Sequence, residues 1–122
     1  MRPRYTIRTS SRVVFLTPNR VYKIPVNLRG WLQGLNERKV WKGYKDTGRL
    51  APLLWGLGGI VCMERVTQLE YVDKKTVALL KRLIPQLNIE RCDLHNPANW
   101  GYYHNRPVLL DYGVSERVAA MY

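Results

Sequence analysis

Carboxylate and amide side chains are concentrated in residues 92–113, CDLHNPANWGYYHNRPVLLDYG. Asp93 and Asn99 belong to one loop, and Asp111 follows the apolar run Val-Leu-Leu. Carboxylate and amide oxygens are ligands for Mg²⁺, which often keeps waters and substrate phosphates. A second carboxylate nearby could accept a proton from an attacking hydroxyl. The competing interpretation is that the two aspartates only form turns or cap helices.

Three strands are predicted at the start of the chain. Residues 5–9 and 13–17 are rich in β-branched and aromatic side chains, and residues 10–12 separate them. After a turn at 18–19, residues 21–24 alternate apolar and polar side chains. This pattern is typical of successive antiparallel strands.

A helix is predicted next, ending near Thr47 and Gly48, where glycine can supply a left-handed cap. Gly34 inside the helix weakens it by about 1 kcal/mol relative to alanine. The apolar residues that suit this helix are Leu32, Leu35, Val40, Trp41 and Tyr44.

Two strand-like pieces follow within residues 53–66, and a second helix begins near Asp73 and ends at Pro85. Its apolar stripe is expected at Val77, Leu80 and Ile84, with Leu79 and Leu83 widening it.

The last predicted elements are a hairpin and a short helix. Strands at 100–103 and 107–110 bracket Asn105 and Arg106, and residues 115–122 suit a helix. Strands followed by helices in this order indicate an α+β domain.

The chain length of 122 residues suits one domain. No apolar run approaches the length of a membrane span, and no apolar segment of signal-peptide length follows the basic N-terminus. We therefore expect a soluble, cytoplasmic protein. Cys62 and Cys92 lack zinc-site spacing and are expected to be reduced, buried thiols.

Positive charge is concentrated in the first part of the chain. Lys and Arg number 20 against 9 Asp and Glu, and residues 1–50 hold twelve of the bases and two of the acids. This asymmetry suggests an anionic partner, namely nucleotide phosphates, nucleic acid or an acidic protein face. A solvated basic surface is the alternative.

The motifs DLHNPANWG and VLLDYG resemble the catalytic loop and metal-binding aspartate of the protein-kinase-like superfamily. The tripeptide DLH is most similar to the corresponding segment of aminoglycoside phosphotransferases, atypical kinases and small kinase-like proteins of bacteriophages. The resemblance implies that Asp93 orients a nucleophile as a catalytic residue and that His95 supports the catalytic loop or its phosphates. It implies that Asn99 and Asp111 hold Mg²⁺.

Upstream segments extend the resemblance. RVYKIP looks like the third strand of these proteins, with Lys23 as the lysine that holds ATP phosphates, and NERKVW offers Glu37 as its acidic partner. GIVCMERV looks like the fifth strand and hinge, where backbone groups from Glu64 to Val66 would bind adenine. The cofactors implied are ATP and Mg²⁺.

The fold implied is a reduced protein-kinase-like α+β fold spanning a single domain, 1–122. Residues 1–66 would form an antiparallel N-lobe sheet with one helix. Residues 67–122 would form a truncated C-lobe with one helix, the catalytic loop and a small hairpin.

The chain departs from the family pattern at three points. Thr9–Ser11 stand in place of the glycine-rich loop that covers the phosphates. The loop from Asp93 to Asn99 has one residue more than usual, so Asn96 could replace Asn99 at the metal. Nine residues follow Gly113, so we expect any phosphate acceptor to be held by another surface or protein.

Three functions are compatible with these features. The first is a minimal kinase-like phage protein that binds Mg-ATP in a bacterial host, with phosphate transfer left open. The second is an inactive pseudokinase that inhibits a host protein through its basic N-terminal half, with Arg2, Arg4, Arg8 and Arg12 on the contact surface. The third is a nucleic-acid binder, whose affinity would fall steeply with salt. The oligomeric state is left open.

Overall fold

Two antiparallel sheets and two α-helices form the part of the chain that this computed structural model describes, residues 3–84, 97–110 and 112. The larger sheet has five strands in the order β1-β2-β3-β5-β4. The strands are β1 (Tyr5–Arg8), β2 (Arg12–Leu16), β3 (Arg20–Pro25), β4 (Leu53–Leu57) and β5 (Ile60–Glu64). The three strands predicted at the start of the chain are confirmed, and so are the two within residues 53–66.

Helix α1 (Leu28–Tyr44) connects β3 to β4. The Asn27 side chain caps its N-terminus by accepting a hydrogen bond of 2.9 Å from the Gly30 N–H. A 3-10 turn, Lys45–Thr47, follows α1, and Gly48 then adopts φ +70°. The predicted end near Gly48 is therefore confirmed, with glycine in the left-handed conformation.

The buried face of α1 differs from the apolar stripe expected from the sequence. The expectation was wrong for Leu35, which is 37% exposed, and Leu32 is only half-buried. The face that packs on the sheet is mostly small or polar. It consists of Gly30, Gln33, Gly34, Glu37 and Val40.

Two glycines bring α1 close to the sheet. A Cβ atom on Gly30 would lie 1.9 Å from the carbonyl oxygen of Ser11, and one on Gly34 would lie 1.9 Å from that of Gly59. Gly34 therefore lowers intrinsic helix propensity but permits a close backbone contact that no larger residue allows.

Helix α2 (Lys74–Leu83) begins after Asp73, whose side chain accepts a 2.7 Å hydrogen bond from the Thr76 N–H. Val77, Leu80 and Ile84 are each 1% exposed. The predicted start and apolar stripe of this helix are confirmed.

The smaller sheet has the order β6-β7-β8, with strands β6 (Thr67–Gln68), β7 (Trp100–Tyr103) and β8 (Arg106–Leu109). The C-terminal hairpin is confirmed, but its turn lies one residue earlier than expected. His104 and Asn105 occupy the turn with φ of 50° and 63°. Positive φ at both central residues suits a two-residue hairpin turn. Strand β6 was not predicted from the sequence.

One hydrophobic core connects the two sheets and both helices. Strand β8 contacts the segment after α1, because Ala51 N–H donates to Leu109 O and Leu109 N–H donates to Arg49 O, both at 2.9 Å. The core residues include Val40, Leu50, Met63, Leu80, Trp100, Leu109 and Tyr112.

The remaining sequence predictions concern the cysteines, membrane-spanning segments and the end of the chain. Cys62 is a buried free thiol, as expected. Within the described ranges, no helix is both long and apolar enough to cross a membrane. Cys92 and the helix proposed for 115–122 lie outside the described residues.

Candidate nucleotide site

A cavity of about 550 Å³ lies against one face of strands β1 to β3. Alternate residues of each strand line it, since successive side chains of a strand point to opposite faces. In β2 these are Arg12, Val14 and Leu16, and in β3 they are Val21 and Lys23. Residues 64–68 and the pair Asn99 and Leu110 also line it, and so do residues 9–11, Gln33, Ala51 and Met63.

Lys23 and Glu37 form a buried ion pair at the wall of this cavity. Lys23 Nζ lies 2.7 Å from Glu37 Oε2, and the two side chains are 8% and 0% exposed. Lys23 is in β3 and Glu37 is on the buried face of α1, so the packing of α1 on the sheet sets their separation. The pairing that the resemblance implies is present.

Arg12 is a second cationic partner of Glu37. Its guanidinium donates to Glu37 Oε1, while Lys23 binds the other oxygen of the same carboxylate. Arg12 is only 4% exposed, so the expectation that it belongs to an exposed basic contact surface was wrong. The sequence carried one signal of this burial. Arg12 is in phase with Val14 and Leu16, which mark the inward face of β2.

Lys23 also contacts the second sheet. Its Nζ donates a 3.0 Å hydrogen bond to Leu110 O, and the Leu110 N–H donates to Asn99 O at 2.8 Å. On the other side of Asp111 in sequence, the buried Tyr112 hydroxyl donates to Ala51 O at 2.9 Å. Both chain neighbours of Asp111 are thus anchored by hydrogen bonds to distant segments.

Three of the predicted site residues, Asp93, His95 and Asp111, lie outside the described residues. Asn99 ends the short 3-10 helix Pro97–Asn99 and lines the cavity. In the part of the chain that is described, no three acidic, histidine or cysteine residues converge as a metal site. Of the two residues that the resemblance assigns to the metal, Asn99 is the one that lies among the described residues, and its amide oxygen is of a type that binds Mg²⁺.

The segment proposed as the hinge lies at the cavity edge. Glu64 and Val66 both line the cavity. The N–H groups of Glu64 and Arg65 donate to Pro52 O and Asn19 O at 2.9 and 3.0 Å. These bonds hold the segment in place and engage the N–H groups of two of its three residues.

The cavity combines apolar walls with positive charge. Its charged lining, counted over the described residues, consists of three bases, Arg12, Lys23 and Arg65, and one acid, Glu64. Its apolar lining includes Val14, Leu16, Val21, Ala51, Met63 and Leu110. Such a cavity suits a ligand with a flat apolar part and an anionic part.

Comparison of this chain with protein-family models, with curated proteins and with solved structures finds no match.

Proposed function

We propose that this chain is a minimal kinase-like protein that binds Mg-ATP in the cavity under strands β1 to β3. The observation that carries the proposal is the buried Lys23–Glu37 ion pair at the cavity wall. In protein kinases, a lysine on the third strand pairs with a glutamate of the following helix, and the assembled pair is required for phosphoryl transfer. Lys23 and Glu37 hold the corresponding places in chain order.

Adenine fits the apolar part of the cavity. Val14, Val21 and Met63 offer apolar contact area, and a purine is largely apolar on its two faces. A purine edge also needs hydrogen-bond partners, and backbone groups of residues 64–66, at the cavity edge, are of that type. This assignment gives residues 64–66 the hinge role that the resemblance implies.

The phosphates of ATP fit the charged part of the cavity. Lys23 supplies fixed positive charge, and Asn99 lines the same cavity. Asn99 and Asp111 would hold the Mg²⁺, which neutralises charge on the phosphate oxygens. Asp93 would orient an attacking hydroxyl, with His95 supporting the loop. The described residues do not identify the acceptor, and a host protein or a small molecule of the host is proposed.

Calorimetric titration of Mg-ATP into the wild-type protein tests nucleotide binding. Lys23→Met removes the phosphate-binding charge and should weaken binding about tenfold or more, as expected for the loss of a charge-assisted hydrogen bond. Lys39→Met is the matched control, because Lys39 is an exposed lysine of α1 away from the cavity lining. Equal weakening by both changes would mean that only net charge matters.

A second pair of variants tests the metal assignment. Asp111→Ala should weaken ATP binding in the presence of Mg²⁺ and have little effect in its absence, because Asp111 acts through the metal. Asp46→Ala, an exposed acid in the turn after α1, should change neither titration. Absence of any heat with wild type at millimolar Mg-ATP would refute the nucleotide site and favour a protein-binding role.

A further inference from the structure

We propose that the face of the larger sheet that points away from the cavity binds single-stranded nucleic acid, with bases stacked on its aromatic side chains. Successive residues of a strand point to opposite faces, so the residues that alternate with the cavity lining form this second face, called the outer face below. Its members in β1 to β5 are Thr6, Arg8, Val13, Phe15, Arg20, Tyr22, Ile24, Trp55, Leu57, Ile60 and Cys62.

Three aromatic residues form a row across the outer face. Phe15 in β2 is the register partner of Tyr22 in β3. Tyr22 is the partner of Cys62 in β5, and Cys62 is the partner of Trp55 in β4. Phe15 and Trp55 are 43% and 44% exposed, and Tyr22 between them is half-buried. Since the solvated face of an antiparallel sheet is usually polar, the exposed rings indicate a surface that binds a partner.

Tyr22 and Trp55 orient each other across Cys62. Their strands are two strand spacings apart, which corresponds to about 10 Å between backbones. Their ring centroids are nevertheless 6.3 Å apart, with the ring planes at 60°. The two rings therefore lean toward each other over β5, which agrees with the complete burial of Cys62. Because the edge-to-face contact is a favourable arrangement of aromatic rings, a base would meet rings that are already oriented.

The charge around this row suits phosphates. Arg8 and Arg20 are exposed residues of the outer face, in β1 and β3. Among the strand residues of the larger sheet Glu64 is the one acid, and it lines the cavity. Residues 1–36 contain seven Lys or Arg and no Asp or Glu. An anionic chain that also offers flat apolar groups matches this face, and single-stranded nucleic acid has both properties.

Exposed aromatic side chains on a sheet are an established way of binding unpaired bases. In RNA-recognition modules, two or three bases stack on the aromatic residues of a four-stranded sheet. Such stacking tolerates any base, because every base has a flat face, and it needs only positive charge beside the rings to hold the backbone. A duplex hides its base faces, so it should contact the outer face through its phosphates alone.

Two other occupants match the outer face less well. A second copy of the chain, packed symmetrically on the same surface, would place basic residues opposite basic residues. An anionic lipid surface matches the charge, but it would bind through apolar area and not through flat rings. Replacing a ring by an aliphatic side chain of similar hydrophobicity therefore distinguishes a lipid from a base.

Fluorescence anisotropy with labelled oligo-dT of about 12 nucleotides measures binding to the full chain. Phe15→Leu keeps an apolar side chain but removes the flat ring, and it should weaken binding about fivefold or more. Phe15→Tyr keeps the ring and should bind within about twofold of wild type. Tyr102→Leu is the matched control, because Tyr102 is a strand residue of the smaller sheet that is 48% exposed. It should bind as wild type does.

The salt dependence of oligo-dT binding tests the arginines. For single strands, the logarithm of the binding constant falls with the logarithm of the salt concentration by about 0.7 for each phosphate contacted. Arg8→Gln and Arg20→Gln should each reduce the steepness of this dependence by about 0.7. Lys39→Gln, which removes the charge of an exposed lysine of α1, should leave it unchanged.

Several results would overturn the proposal. Equal affinity of Phe15→Leu and Tyr102→Leu would do so, and so would a duplex that binds as tightly as oligo-dT of the same length. If circular dichroism shows that Phe15→Leu is unfolded, Trp55→Leu replaces it under the same criteria.

Absence of oligo-dT binding by wild type at low salt would also refute the proposal. In that case, binding to vesicles that contain phosphatidylserine would assign the outer face to a lipid surface, provided that replacement of Phe15 by a charged residue abolishes it. A light-scattering mass of two chains that the same replacement reduces to one would assign the face to a second copy.

The outcomes are independent of the proposed Mg-ATP site, because the cavity and the outer face lie on opposite sides of the sheet. Val14→Phe, which fills the cavity, should change oligo-dT affinity by less than about twofold. A larger loss would mean that the oligonucleotide enters the cavity, and it would overturn the assignment to the outer face. Oligo-dT binding that depends on Phe15 supports the inference whether or not the chain binds Mg-ATP.

Discussion

Lys23 and Leu110 are 87 residues apart in sequence, and Lys23 Nζ donates a hydrogen bond of 3.0 Å to the carbonyl oxygen of Leu110. The bond joins β3 of the larger sheet to the residue that follows β8 of the smaller one. Leu110 immediately precedes Asp111 in the sequence. The lysine that we propose for phosphate binding is therefore fixed both to Glu37 in α1 and to the C-terminal hairpin.

Because the Glu37 carboxylate binds both Lys23 and Arg12, replacing Glu37 should destabilise the protein more than replacing Lys23. Glu37→Gln removes the negative charge that Lys23 and Arg12 share and should lower the free energy of unfolding by about 3–5 kcal/mol. Lys23→Met leaves the Arg12–Glu37 pair intact and substitutes an apolar side chain, so its cost should be below about 2 kcal/mol. Urea unfolding of both variants measures the difference. An equal decrease in the free energy of unfolding for both variants would mean that Arg12 does not stabilise the Glu37 carboxylate when Lys23 is absent.

Gly34 and Gly43, two of the three glycines of α1, should respond oppositely to replacement by alanine. Gly34→Ala places a Cβ against the Gly59 carbonyl and should lower the free energy of unfolding by about 1–3 kcal/mol, the usual cost of overpacking. Gly43→Ala meets no atom within 4 Å and should raise it by up to about 1 kcal/mol through helix propensity. Thermal or urea unfolding of the two variants measures the sign and size of each change in the free energy of unfolding. A stabilising Gly34→Ala would show that α1 does not pack this closely on the sheet.

Filling the cavity should block the ligand and spare the fold. Val14 lines the cavity beside Lys23, its partner in the β2–β3 register, whereas Val13 points to the other face of the sheet. Val14→Phe should weaken Mg-ATP binding about tenfold or more, and Val13→Phe should change it by less than about twofold.

Calorimetry measures both affinities, and melting temperatures check that both variants remain folded. Comparable binding by Val14→Phe and wild type would place the nucleotide elsewhere on the protein.

Because the Asp73 carboxylate caps α2, the free energy of unfolding should depend on pH in the acid range. Hydrogen bonds from the side chain and backbone of Thr76 lower the pKa of Asp73 below its ordinary value of 3.8. The folded state therefore binds this proton less readily than the unfolded state. The stabilisation is complete above about pH 3.8 and is lost as pH falls through the lowered folded pKa.

The Asp73→Asn variant is the natural control, because asparagine also caps helices but does not titrate. Urea unfolding of wild type and variant at about pH 6 and at about pH 3 gives the difference in their free energies of unfolding at each pH. Acidification should change this difference in favour of the variant, because wild type loses the contribution of its charged carboxylate as the carboxyl is protonated. A difference that stays constant between the two pH values would contradict the assignment.

Periodic patterns allowed most of the elements to be predicted. The stripe of Val77, Leu80 and Ile84 with Asp73 before it predicted α2, because burial of an apolar face and a side-chain cap are both local consequences of sequence. The C-terminal hairpin was predicted from two short strand segments on either side of Asn105 and Arg106. Strand β6 was missed because two residues, Thr67–Gln68, contain no periodicity and become a strand only by pairing with β7.

The site was predicted only in part. Resemblance placed Lys23 and Glu37 together, and the structure has them 2.7 Å apart. Arg12 was assigned to an exposed surface, because arginine is seldom buried without a partner and that partner lies 25 residues away. The attachment of Ser11 to α1 was missed for the same reason.

The sequence by itself determined most of the segments that become strands and helices, because alternation, helical spacing, caps and turn residues act over a few neighbouring positions. It also determined the excess of positive charge in residues 1–50. Tertiary structure alone decided which face of α1 is buried. That face, with Gly30, Gly34 and Glu37, is stabilised by close backbone approach and by charges brought from β2 and β3, and neither can be inferred from the hydrophobicity of the helix.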